Sequence, residues 1–343
     1  GYTTGSWPFP NGIIRLNAFN NDLTANDDEV IELEDFRDGD DGIEQSICIG
    51  WIGHNTCRYG SDPFDGGIQL DYEADNGAFL IERNFSGGGG DGQDDPACEL
   101  DTDSESLYNL VRVQNNVFSS AGGGALIMDP RGSAAQITNN TTNYSGFPNR
   151  MGLTNREGTE YGQLQAHVLN CVSTHNGGGD VDWDGGVHPT YTLIRDIVSP
   201  PGLGNISGEP FYAKDLDDLT GLWPFTNDQL ADLFTLESSS PAIDAGHPDS
   251  RHDDPDGTRN DMGAYGGPNA GPLGVMEEGA TQPFVYVGVF PAVNLYTGAA
   301  LVSDTQTLWF GFNAEIDPAS VAGAATIRNG GIDVAGTLSL IHI

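Results

Sequence analysis

Three stretches of the chain share one layout: a short run of alternating residues, then asparagine, then a Gly- or Ser-rich turn. Leu110 to Val113 leads to Asn115 and Asn116, Ala134 to Ile137 leads to Asn139 and Asn140, and Gln165 to Leu169 leads to Asn170. Phe79 to Asn84 has the same shape. Asn116, Asn140 and Asn170 are 24 and 30 residues apart, a period of stacked units rather than of a globular α/β pattern. In such a stack each short strand pairs in parallel with its neighbours above and below, and buries every second residue against a narrow apolar interior. Asparagine at the recurring corner tolerates a left-handed bend, and its amide can bond to the asparagine of the next turn.

Composition narrows the partners. The 343 residues carry 50 acidic and 13 basic side chains, a formal net charge of −37, with Lys214 the only lysine. Such a surface repels nucleic acid and anionic membranes, which depend on Lys and Arg to neutralise phosphate. It suits cations or a saline medium, and it also serves solubility alone. No apolar run is long enough to span a membrane, and no signal or lipidation motif is visible. Both ends read as fragment ends, because Gly1 replaces an initiating methionine and 338–343 matches the translation of a sequencing-library adapter. Among Cys48, Cys57, Cys98 and Cys171, the first two suit a local disulfide across a Gly-bearing loop, and Cys171 suits a small core residue.

The late part of the chain carries a resemblance. The segment Ser240 to Gly246 (S-P-A-I-D-A-G), the phrase Asp254 to Tyr265 (D-P-D-G-T-R-N-D-M-G-A-Y), the passage Asn176 to Asp196 and the phrase Gly204 to Phe211 resemble the last turns of right-handed parallel β-helices of the pectin-lyase-like type. These are found in bacterial secreted and surface proteins, and the resemblance covers roughly residues 75–267. It implies an all-β solenoid with a C-terminal cap, which fits a capping box at Thr226 and a short helix over 226–236 that presents Leu230, Leu233 and Phe234 on one face. A Gly- and Pro-rich linker follows over 268–282. Over 283–337, alternation at Val285, Val287 and Val289 and again at Leu308, Phe310 and Phe312 reads as sandwich strands. The phrase Phe312 to Val321 resembles bacterial Ig-like modules, so this region is expected to be a partial Ig-like β-sandwich. The expected domain order is therefore a β-helix with long loops over 1–267, closed by 237–267, then linker and partial Ig-like domain.

Two acidic clusters are candidates for chemistry. Asp254, Asp256 and Asp261 surround a Gly-led turn, as oxygen ligands of Ca²⁺ do in close-spaced loops, though without the position-12 glutamate and incoming helix of an EF-hand. The other reading is an Asp-rich turn whose side chains cap backbone amides, with Arg259 pairing with Asp244 or Asp261. Asp180, Asp182 and Asp184 alternate, so on a strand they share one face, with His188 just beyond and Arg195 on a following strand. By resemblance to pectate lyases, such carboxylates would hold calcium against a uronate while Arg195 abstracts a proton. The G-H-G motif and the N-T-D motif paired with D-D, as in polygalacturonases, are absent, and alternate Asp residues facing water is the competing reading. His54, His167, His175, His247 and His252 show no metal spacing, and His167 reads as a surface residue. Trp51, Trp183 and Tyr191 could stack on sugar rings. The function expected is that of an extracellular or cell-surface monomer, non-catalytic, binding polysaccharide or cell-surface glycans, with structural calcium. The alternative is a polysaccharide lyase or hydrolase acting through Asp180, Asp182, Asp184 and Arg195.

Overall fold

The computed structural model describes residues 13–25, 30–33, 47–59, 67–71, 77–88, 96–101, 110–119, 124–129, 134–143, 152–155, 166–184, 186–213, 233–276, 280–283, 285–290, 309–312, 327–329 and 332–334. The chain winds in turns, each giving a short strand to each of three sheets. In order these are β1 (Ile13–Phe19), β2 (Asp22–Ala25), β3 (Ile31–Leu33); β4 (Ile47–Gly53), β5 (Thr56–Tyr59), β6 (Ile68–Asp71); β7 (Gly77–Glu82), β8 (Phe85–Gly88), β9 (Pro96–Asp101). Next come β10 (Leu110–Gln114), β11 (Val117–Ser119), β12 (Gly124–Asp129); β13 (Ala134–Thr138), β14 (Thr141–Asn143), β15 (Leu153–Asn155); and β16 (Ala166–Leu169), β17 (Val172–Thr174), with β18 (Leu193–Ile194) in the turn after. Sheet A stacks β1-β4-β7-β10-β13-β16, sheet B β2-β5-β8-β11-β14-β17-β18, and sheet C β3-β6-β9-β12-β15. All three are wholly parallel, as the repeat requires, and agree with a parallel β-helix.

Alternation decides what each strand buries. On β10, Val111 and Val113 point into the interior and Arg112 points out. Phe79, Ile81, Phe118, Leu126, Ile137, Leu153 and Val168 continue the same apolar axis. Each such side chain contributes about 2 kcal/mol by leaving water. Cys57, Cys98 and Cys171 lie in this interior as free, buried thiols. The expected Cys48–Cys57 disulfide is therefore corrected: alternation on β5 aims Cys57 into the core. Burial raises all three thiols, that of Cys171 to about 12, so none is a ready nucleophile.

The corner between sheets A and B carries two ladders. The inner one is the stack Asn21, Asn55, Asn84, Asn116 and Asn140. Oδ1 of Asn84 accepts the N and Nδ2 of Asn55 at 2.9 and 3.0 Å, while its own Nδ2 donates to Ile52 O and Asn116 Oδ1 at 2.9 and 3.0 Å. After Asn140 the ladder passes to Cys171, whose Sγ accepts Asn140 N at 3.5 Å, then to Thr192 and Asn205. The equivalent of Asn116 and Asn140 is thus Cys171 and not Asn170, which corrects the last repeat step to 31 residues. Cys171→Asn should restore amide bonding there and raise stability by about 1 kcal/mol. Thermal unfolding checks this, and a lowered melting temperature would show that the added volume outweighs the new bonds.

The outer ladder is Asn20, His54, Arg83, Asn115, Asn139, Asn170 and Tyr191, all left-handed with φ from 48° to 59°. That conformation costs a side-chain-bearing residue on the order of 1 kcal/mol. The offset comes from a strap formed by residues 237–276, which docks on these corners in reverse order. His247 N bonds to Asn170 Oδ1 at 2.8 Å, and Asn139 Nδ2 bonds to Asn260 Oδ1 at 3.1 Å and Asp261 O at 3.0 Å. Asn115 Nδ2 reaches Ala264 O and Gly266 O at 2.9 and 2.7 Å, Arg83 reaches Asn269 O, and Met276 N bonds to Asn20 Oδ1 at 2.6 Å. The strap also covers the outward side of sheet B. Met262 and Ala242 pack on Val172 and Leu193, and Ala264 and Leu273 pack in the cluster of Phe85 and Val117. Residues 237–267, expected to close the end of the coil, lie in this way along its side. So do 268–276, the first part of the stretch read as a linker.

Leu233 and Phe234 join the same flank beside Phe85 and Val117. The rest of the expected capping helix, 226–232, lies outside the described residues. On the opposite shoulder, β19 (Tyr286–Phe290) pairs antiparallel with β20 (Trp309–Phe312), and Val287 packs on Ile49, Trp51, Ala78 and Leu80 of sheet A. A second antiparallel pair joins β21 (Ile327–Asn329) to β22 (Ile332–Val334).

Candidate functional site

Asp180, Asp182 and Asp184 do not share a face. A bridge holds Val181 beside Leu153, but residues 183 and 184 turn, so the alternation ends after one step. Asp180 is buried, Asp182 half-buried and Asp184 exposed. The Asp180 carboxylate accepts Asn176 N and Nδ2 on one oxygen, at 3.3 and 3.0 Å, and Arg195 N and Asp196 N on the other, at 2.8 and 3.0 Å. Burial, with the Asp196 charge second, raises its pKa to about 6 against the pull of those donors. It works as a staple between the turns at 176 and 195. The Arg195 guanidinium is exposed and paired with Glu209, whose other oxygen lies 3.4 Å from His175 Nε2.

The Asp254 loop is likewise satisfied from within. Asp254 accepts Asp261 N at 3.0 Å and Gly267 N, Asp256 accepts Thr258 N and Oγ1 at 2.9 and 2.7 Å, and Asp261 accepts Asp244 N at 2.7 Å. Burial raises Asp254 to about 6 and raises Asp261, whereas the Thr258 hydrogen bonds lower Asp256. Arg259 does not pair with these acids through the bonds it makes to the carbonyls of Ala245 and Gly246. Among the described residues no three His, Cys, Asp or Glu side chains gather as metal ligands. The carboxylates of Asp254, Asp256 and Asp261 each accept a different backbone amide.

A pocket of about 210 Å³ opens where the coil ends, lined by Trp183, His188, Pro189, Thr190, Pro201 and Gly202. Trp183 is half-buried, one side against the apolar interior, and His188 is exposed. Asn205 fixes the rim: its Nδ2 donates to Pro189 O at 2.8 Å, and its Oδ1 accepts Thr192 N at 2.9 Å. Gly202 has φ +108°, and a Cβ there would meet Asn205 Nδ2 at 2.5 Å and Pro189 O at 2.6 Å, so the loop closes this tightly only with glycine. Val198 and Leu203 stand exposed on the same loop. The other aromatics named from sequence are committed elsewhere: Trp51 is buried and donates to Glu82 Oε1 at 3.0 Å, and Tyr191 packs edge-on to His247.

One grouping escapes the sequence. His167 points outward from β16, in register with Gln136 and Arg112, and is half-buried rather than fully open to solvent. His247 and His252 have ring centroids 4.8 Å apart, and Tyr191 lies 4.7 Å from His247. Burial, then the charges of His247 and His252, lowers His167 to about 4. The only signal in the sequence was the outward register of His167, because its companions lie about 80 residues on. No family model, curated protein or solved structure matches this chain.

Proposed function

We propose that the chain is a non-catalytic extracellular or cell-surface β-helix, right-handed and pectin-lyase-like, with an Ig-like module beginning near β19. It binds a neutral sugar ring of an extracellular glycan in the pocket at the end of the coil. The observation that carries this reading is that pocket: a partly exposed indole, two prolines and a small polar rim, with room for about one ring. Aromatic faces take the C–H faces of sugars by burying apolar area, and His188 and Thr190 are the lining residues whose side chains carry hydrogen-bonding groups. The net charge of −37 directs the choice toward neutral rather than acidic polymers. The lyase reading loses support because its carboxylates are dispersed and Asp180 is saturated by N–H donors.

Titration calorimetry against a panel of neutral and uronate polysaccharides tests the proposal. Binding to at least one neutral polymer is expected, with Trp183→Ala weakening it by about tenfold or more. No binding across the panel, or binding indifferent to Trp183, overturns it. Incubation with the uronates should yield no unsaturated ends; their appearance would revive the lyase.

A further inference from the structure

If the pocket at the end of the coil binds glycan, as proposed above, its shape restricts which part of the polymer enters. We infer that it takes only a terminal sugar ring, so that the protein recognises the ends of glycan chains and branches rather than their internal units. The pocket lies on the turn that follows β16. Val181, beside Leu153, extends sheet C to that turn, and Thr190, beside Leu169, extends sheet A. Trp183 comes just after the first of these bridges, and His188 and Pro189 lead into the second. The remaining wall, Pro201 and Gly202, belongs to the loop that follows β18.

The two walls are joined along one side. Asn205 Nδ2 donates to Pro189 O at 2.8 Å, Tyr191 N to Leu203 O at 2.8 Å, and Ile206 N to Thr192 O at 3.0 Å. Gly202 and Pro189 approach so closely that a Cβ on Gly202 would lie 2.6 Å from Pro189 O. Walls that leave no room for a methyl group between them let no sugar ring through. On the inner side Trp183 packs against the apolar axis, and its turn is tied by Val187 N to Asp182 O at 3.1 Å. His188 and Pro201 are exposed and mark the mouth. A pocket of about 210 Å³ closed in this way admits one ring and gives the next unit no exit except the way it came. An internal unit would need two openings, one for each of its glycosidic neighbours.

Calorimetry on the full chain tests this with linear neutral glucan, mannan and galactan, each as long chains and as fragments about ten times shorter, where binding of ends predicts about tenfold more capacity per gram in the fragments. The number of protein molecules per polymer chain should stay constant. Trp183→Ala should weaken chains and fragments alike, since both enter one pocket. Borohydride opens the reducing-end ring of the fragments: retained binding then assigns the pocket to the non-reducing end, and lost binding assigns it to the reducing end. Capacity that follows mass, with binding still dependent on Trp183, keeps the glycan reading and overturns recognition of ends. Constant binding per chain that ignores Trp183 overturns it as well, and no binding to any polymer or fragment overturns both. If Trp183→Ala fails to fold, Pro201→Trp at the mouth serves instead: the added indole should block entry, and undiminished binding overturns the proposal.

Discussion

Asn116→Ala is expected to lower the unfolding free energy by about 3–5 kcal/mol, a large share of what a domain of this kind holds in reserve. Asn116 is fully buried, and its side chain serves five partners. Oδ1 accepts Asn84 N and Nδ2 at 2.9 and 3.0 Å, and Nδ2 donates to Ile81 O, Gln114 O and Asn140 Oδ1 at 2.9, 3.0 and 3.0 Å. Alanine removes all of these at once and leaves the donors of Asn84 without water or protein to satisfy them. Leaving one buried donor or acceptor unpaired costs about 1–3 kcal/mol, and the total falls below the simple sum because neighbouring turns can relax. Urea unfolding measures it. A loss below about 1 kcal/mol would mean that the asparagine stack is ornamental and the apolar axis alone holds the turns in register.

Gly266→Ala is expected to undo the strap while sparing the coil. A Cβ at this position would sit 1.7 Å from Asp261 O and 3.0 Å from Asn139 Nδ2. The first contact is with backbone, so no rotamer change relieves it, and residues 261–266 must move apart. That movement breaks the bond from Asn115 Nδ2 to Gly266 O and strains the amide of Gly267 on Asp254. The expected cost is about 3 kcal/mol, placed on the strap. Limited trypsin digestion reads it directly, since Arg259 is exposed in the affected loop. Cleavage after Arg259 should accelerate by about a hundredfold if digestion samples the opened strap. An unchanged rate would mean that the loop has room that the close approach denies.

Local pattern carried much of the fold, and long-range contact carried the rest. Alternation over Leu110–Gln114 and Ala134–Thr138 identified β10 and β13 because period two is written within one strand. The asparagine period was visible at Asn116 and Asn140 but slipped at Asn170, because Cys171 fills the ladder position with sulfur and the neighbouring asparagine belongs to the outer corner. His54 and Arg83 at left-handed corners were invisible for a similar reason. Their conformation answers to the strap, and the strap's docking partners lie far along the chain. The acidic phrases were legible only in part. Asp180 and Asp254 read as candidate ligands, and nothing in the sequence signals that they also accept the amides of Arg195, Asp196, Asp261 and Gly267. The pocket at Trp183 was half legible: the indole was noted, but its partners Pro201 and Gly202 arrive only through the fold.

A stack of turns that touch only their neighbours behaves as a one-dimensional lattice, free to fray from either end. The reversed course of residues 237–276 changes that. It ties Asn170 on the sixth turn to Asn20 on the first through a single polypeptide. Loss of any middle turn must then also detach a segment anchored at both extremes, so melting is expected to become all-or-none, and tension applied along the axis is shared between two load paths rather than borne by interstrand bonds alone.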